Sequence, residues 1–169
     1  DSEYLEDNYI METQSTIQHK GFKGALTERN ITRKIASKYE VRVTHGEDGK
    51  VNKHYYPYYN NKTGDLVGYK ERDVETKAFA INGTNKGAGL FGQQLFKEGG
   101  KYLTITEGEL DALSIREMFD GKWAVVSLKN GASGALRDIK ENLDYIESFE
   151  NVVLCFDNDD AGTEGIKAE

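Results

Sequence analysis

The chain has 169 residues, 37% hydrophobic and 30% charged, with a net charge of −7. That length suits one domain or two small ones packed together, and no apolar run approaches the roughly 18 residues a bilayer span needs. The charge is uneven, 15 Lys+Arg against 14 Asp+Glu in residues 1–100 but 7 against 15 in residues 101–169. This argues against simple phosphate-backbone binding and for metal chemistry beside an anion-binding surface.

Residues 1 to about 26 are polar, begin unlike a signal peptide, and read as a linker or arm. "ITRKIASKY" (31–39) has room for two helical turns, with Thr32 as N-cap. From "YEVRV" to "YKERD" (39–73), β-branched and aromatic residues alternate with polar ones, broken by "GEDG" and "NNKTGD". That pattern predicts an antiparallel meander. Pro57 points to an edge strand or a bulge there. Tyr55, Tyr56, Tyr58, Tyr59 and Tyr69 have the ring chemistry to stack on bases, although strand cores use tyrosine constantly. "INGTNKGAG" (81–89) reads as a Gly/Asn-rich loop and "KEGGK" (97–101) as a boundary between subdomains.

Beyond residue 101 the pattern becomes strand "YLTIT", helix "LDALSIREMF", strand "AVVSL", helix "ALRDIKENLDYI", strand "VVLCF". The second helix would place Leu136, Ile139, Leu143 and Ile146 on one face. Continuously apolar strands alternating with helices predict a parallel sheet covered on both faces. The single cysteine, Cys155, excludes an internal disulfide and a cysteine zinc site within the chain. Its apolar surroundings read as those of a small core residue in a reducing compartment. The sequence stops at Glu169 where a third helix would begin, so a further strand is expected beyond it.

Functional groups of open α/β sheets gather at the carboxyl ends of the strands. The first strand here runs into "TEGELD", with Glu107 at its end and Asp111 four residues on. The second runs into "SLKNGAS", a loop whose backbone N–H groups could face an anion. The third runs into Asp157 and Asp159. Parallel neighbours lie about 4.8 Å apart, so Glu107, Asp157 and Asp159 can converge. Carboxylates that close repel, and a divalent cation removes that cost; magnesium is content with one or two carboxylates plus waters and phosphates. Counted from Asp157, an EF-hand loop fails at Ala161 and Ala168, and a strand precedes it where a helix should. Asp160 is expected to open the next helix, where its charge suits the N-terminal dipole.

In order and spacing, "TEGELDAL", "VSLKNGAS" and "CFDNDDAG" resemble the Toprim domain of DNA primases. The nearest likeness is to bifunctional primase–helicases of short-tailed (T-odd type) bacteriophages and their mitochondrial helicase relatives. Upstream, "RNIT…YEVRV", "YKERD" and "KAFAINGTNKGAGLFG" are similar to the basic half of that primase's RNA polymerase domain. The resemblance covers residues 29–169. It implies an incomplete parallel-sheet Toprim domain (101–169), preceded by a small α+β subdomain with an antiparallel sheet (29–100) and a linker (1–28). It implies template-directed synthesis of RNA primers by metal-dependent nucleotidyl transfer. Glu107, Asp157 and Asp159 would be catalytic and hold Mg²⁺ or Mn²⁺, and Asp111 would be a supporting acid. Lys70, Arg72 and Lys86 would contact nucleotide or template phosphates, with Lys77 a weaker candidate. Single-stranded DNA, ribonucleoside triphosphates, and zinc-binding and helicase domains of the same full-length protein would be partners, without a membrane, in the cytoplasm of an infected host cell.

Two departures matter. Lys129 stands where the family usually has glycine, which puts the loop geometry in question and offers a possible phosphate contact. A further Toprim acid and the cysteine-rich zinc module have no counterpart in the sequence. Two other classes stay open: a Toprim nuclease or topoisomerase-type enzyme, disfavoured by the primase-like basic half, and a non-catalytic template-binding module of a helicase, disfavoured by the intact acids.

Overall fold

The computed structural model describes residues 17–157. Two sheets form. The first is a five-stranded antiparallel meander, in sequence order: β1 (Phe22–Lys23), β2 (Arg42–His45), β3 (Val51–Tyr59), β4 (Leu66–Asp73) and β5 (Phe79–Gly83). Helix α1 (Arg33–Lys38) lies between β1 and β2, and its cap is the expected one, the Thr32 hydroxyl accepting from the Ile35 N–H at 3.3 Å. Residues 22–26, read from sequence as arm, belong to the fold: β1 pairs with β2, and Leu26 is fully buried. Part of the expected 81–89 loop is likewise strand, because β5 extends to Gly83.

Pro57 lies within interior strand β3, opposite Tyr69. Pairing with β2 ends at Arg42 and Tyr55, so beyond that point the β2-facing edge carries no ladder for proline to interrupt. The bulge falls one step later, between Tyr58 and Tyr59.

The second sheet is parallel, in the order β7 (Ala124–Ser127), β6 (Tyr102–Thr106), β8 (Asn151–Cys155). Helix α2 (Glu109–Met118) connects β6 to β7; α3 (Ala135–Glu141) and α4 (Leu143–Glu147) connect β7 to β8. The single helix expected over 135–146 is thus broken at Asn142. Its inward face is also rotated. Leu136 and Leu143 are exposed, whereas Ala135, Asp138, Asn142, Tyr145 and Ile146 are buried. The polar members of that stripe are held by hydrogen bonds, Asn142 Nδ2 donating to the Asp138 carbonyl at 2.8 Å and Asn61 Nδ2 to Asn142 Oδ1 at 2.7 Å.

Each face of the parallel sheet has its own core. Leu103, Ile105, Val126 and Leu128 pack with Tyr145, Ile146 and Phe149. On the other side Val125, Leu110 and Leu113 share a core with Tyr39, Tyr56, Tyr58 and Phe91, so the meander closes over α2. The "LFG" segment ties the sheets together. Phe91 and Ser127 exchange backbone hydrogen bonds at 3.0 and 3.1 Å, and Gly92 takes φ +85° where a Cβ would meet the Tyr39 ring at 2.5 Å. Edge strand β8 departs from expectation. Val153 is 44% exposed and the Cys155 thiol is exposed rather than a core group, because among the described residues the sheet ends there.

Candidate active site

The carboxyl ends of β6 and β8 meet, as predicted. The Asp157 backbone N–H donates to Glu107 Oε2 at 3.1 Å. Gly108 caps α2 in extended conformation, which lets the chain turn and places Asp111 one helical turn past Glu107. Burial first, and then the Asp157 charge, push the Asp111 carboxyl above its usual range, with Arg29 and the Gly108 N–H opposing. Glu107, Asp111 and Asp157 therefore share one corner. Asp159 and Asp160 lie outside the described residues.

Among the described residues no three acidic, imidazole or thiol groups make a ready metal cage. The donors that are gathered are all hard carboxylate oxygens, and Asp111 feels Asp157 as a repelling neighbour. That chemistry fits a hard divalent ion bound by one or two carboxylates, with the rest of its shell supplied by waters and phosphate oxygens.

Facing this corner is one side of the meander. Pairing His54–Arg72, Tyr56–Lys70 and Tyr58–Gly68 across β3 and β4, and Arg72–Phe79 and Lys70–Ile81 across β4 and β5, puts all these side chains on one face, since neighbours alternate. A cleft of about 190 Å³ opens between that face and the start of α2, lined by Arg29, Arg72, Tyr56, Phe79, Glu109 and Asp111 among others. Arg72, expected from the sequence as a phosphate contact, lines this cleft. Arg29, at the end of a 3₁₀ turn (Thr27–Arg29), joins it without having been singled out.

Lys70 also points toward α2, but its ammonium is engaged. It donates to Glu109 Oε1 at 2.7 Å and to the Lys129 carbonyl at 2.8 Å, and stands 5.0 Å from the Phe79 ring centroid. Glu109 is 3% exposed and also accepts from the Tyr58 hydroxyl at 2.7 Å. Lys70 is thus first a tie between the two sheets. The only sequence signal for Glu109 was its place in "TEGELD", two residues after Glu107.

Two expectations are corrected by packing. Lys129 does not reach outward for phosphate. Its ammonium donates to the carbonyls of Asn85 and Ala88 at 3.0 and 3.3 Å and lies 3.6 Å from Glu141, stapling the loop after β5 to the parallel sheet. The backbone N–H groups of Lys129 and Asn130, offered in sequence as an anion cradle, already hold one: both donate to buried Asp138 Oδ2 at 3.0 Å. Of the tyrosines, Tyr55, Tyr56, Tyr58 and Tyr69 are buried in strand packing and offer no free ring face. Lys86 is exposed on the loop after β5, and Lys77 occupies the turn between β4 and β5 at φ +61°; neither lines the cleft.

A second buried network borders the cleft. His54 is fully buried, with Nε2 2.5 Å from Glu28 Oε1 and Nδ1 2.9 Å from the Tyr56 hydroxyl. Burial lowers its pKa, with Arg72 and Arg29 adding to the effect and Glu28 opposing it.

A three-stranded parallel sheet with acids at the ends of two strands, flanked by helices, is a Toprim-like unit, and residues 104–168 match the Toprim-like family. The relatives carry the identification further. The DNA helicase/primase of Enterobacteria phage T3 is 37% identical over 144 residues, 84% of this chain and 24% of that protein. The crystal structure of the primase fragment of the bacteriophage T7 primase–helicase superposes with a TM-score of 0.78 at 32% identity, covering 92% of this chain and 66% of the fragment. A structure of bacteriophage T7 lagging-strand DNA polymerase interacting with primase domains of two gp4 subunits bound to an RNA/DNA hybrid and dTTP superposes with a TM-score of 0.74 at 35% identity, covering 86% and 71%. The chain belongs to the family of phage primase–helicase primase domains, and it spans about a quarter of the length of the phage T3 relative.

Proposed function

We propose that the chain is the catalytic core of a DNA primase, joining ribonucleotides on a single-stranded DNA template by nucleotidyl transfer. The observation that carries this reading is the cleft itself, which sets Arg29 and Arg72 opposite Asp111, beside the Glu107–Asp157 contact.

In the reaction the 3′-hydroxyl of the growing strand gives up its proton to solvent as its oxygen attacks the α-phosphorus of a ribonucleoside triphosphate. The bond from that phosphorus to the bridging oxygen breaks, and pyrophosphate leaves with the electron pair. A divalent ion, Mg²⁺ or Mn²⁺, supplies Lewis-acid stabilisation of that charge. Glu107 and Asp157, with Asp159, would hold it; Asp111 would support the set. The guanidiniums of Arg29 and Arg72 bind phosphate oxygens, where their fork geometry fits. Lys70, clamped by Glu109, sets the distance between the basic face and the acids, and Lys86 serves approaching template phosphates. Zinc-binding and helicase domains of the full-length protein are the proposed partners, and the cytoplasm of an infected cell the place of action.

Primer synthesis by the full-length protein is expected to be abolished by Glu107→Ala and by Asp157→Ala with the fold retained. Wild-type synthesis in either variant would refute the assignment. Titration of Mn²⁺ followed by NMR should broaden residues 107–111 and Asp157 selectively; broadening spread over all acidic loops would reduce these groups to solvated charges.

A further inference from the structure

We propose that the Phe79 ring is the platform on which the base of the incoming ribonucleotide stacks; this deepens the primase reading and rests on it. Phe79 is the first residue of edge strand β5 and is 55% exposed, although it sits on the face of the meander that looks toward the acids. Edge strands are ordinarily blunted with charge, and here the inward side of the edge carries a bare aromatic ring instead. Its surroundings specify what it meets. Arg72 is its direct cross-strand partner, and Arg29, Arg72 and Asp111 line the same cleft. The cleft therefore brings guanidiniums for phosphate oxygens, a carboxylate on the metal side and a π-face together in one space, and these are the groups that the parts of a nucleoside triphosphate would meet.

Other rings do not compete for the role, since Tyr56 and Tyr58 on the same face are buried in the core. The Lys70 ammonium near the ring fixes its orientation through a cation–π contact. A phenyl ring has no donor or acceptor, so it reads no base edge and accepts every base by its π-face. A polymerase that takes its sequence from a template needs that indifference.

The test measures binding of Mg²⁺-ATP and of Mg²⁺-tripolyphosphate, which lacks base and sugar, by calorimetric titration of the chain and its Phe79→Ala and Phe79→Tyr variants. Loss of one base–aromatic stack is expected to raise the Kd for ATP about tenfold in Phe79→Ala. The Kd for tripolyphosphate should not change, Phe79→Tyr should restore ATP binding, and CTP, GTP and UTP should follow ATP. Equal weakening of ATP and tripolyphosphate would mean the ring only shapes the arginine seats, and would overturn the proposal. So would unchanged ATP binding, a wild-type chain that binds both probes alike, or weakened single-stranded DNA binding with ATP unaffected, which would assign the ring to the template. Such a failure would leave the loss of synthesis in Asp157→Ala standing, so the two readings fail separately.

Discussion

Replacing Lys70 by methionine removes the ammonium and keeps the stem. Glu109 then loses its ion-pair partner while remaining 3% exposed, with the Tyr58 hydroxyl as its remaining side-chain donor. Breaking a buried pair from one side costs about 3–5 kcal/mol, because the surviving charge is stranded in low dielectric. For a chain of this size each kcal/mol lowers Tm by about 2–4 °C, so Lys70→Met should melt roughly 6–20 °C below wild type. Glu109→Gln should cost less, about 1–3 kcal/mol, since Lys70 keeps the Lys129 carbonyl and the Phe79 ring. The double variant Lys70→Met/Glu109→Gln should recover a large part of the single Lys70→Met loss, because no charge is then buried unpaired. Calorimetric or denaturant unfolding of all four proteins gives the coupling energy directly. A Lys70→Met variant within about 1 kcal/mol of wild type, or a double variant whose loss equals the sum of the singles, would refute the tie between the sheets.

Further outcomes follow from single contacts. Gly92→Ala forces a Cβ to 2.5 Å from the Tyr39 ring at φ +85°, and should lower stability by about 2–4 kcal/mol in denaturant unfolding. Lys129→Gly frees the carbonyls of Asn85 and Ala88; amide hydrogen exchange across residues 84–88 should accelerate while that of β6 stays slow, at a cost of about 1–3 kcal/mol. His54 carries a lowered pKa in the fold, chiefly from burial, so the unfolded chain binds its proton more readily. Stability should then fall as pH drops below the ordinary histidine value of 6.5 toward the lower folded value, and be unaffected by this group above it. Glu28, Arg29 and Arg72 are the charged groups acting on the ring. His54→Gln should flatten the profile in that window, and an unchanged slope would assign the effect elsewhere.

Much of this architecture is written in short-range periodicity. Alternation over 39–73 yields the meander, continuous apolar runs yield β6, β7 and β8, and Glu107 and Asp157 are brought together because parallel strands in register align their carboxyl ends. Those are properties of neighbouring residues, and any docking of the two sheets would preserve them. Over 135–146 the same kind of pattern points to the wrong helical face: apolar spacing favours Leu136 and Leu143, but Asp138 is drawn inward by the backbone N–H groups of Lys129 and Asn130. Tertiary structure alone decided which charges are spent and which remain. Lys70 and Glu109 are 39 residues apart and Lys129 and Asn85 are 44 apart, and nothing local distinguishes these lysines from Lys86. Their ammonium groups are consumed because closing the meander over α2 removes them from water, and a buried charge must find a partner. The same closure buries Tyr56 and Tyr58 and leaves Phe79 exposed beside Arg29, Arg72 and Asp111.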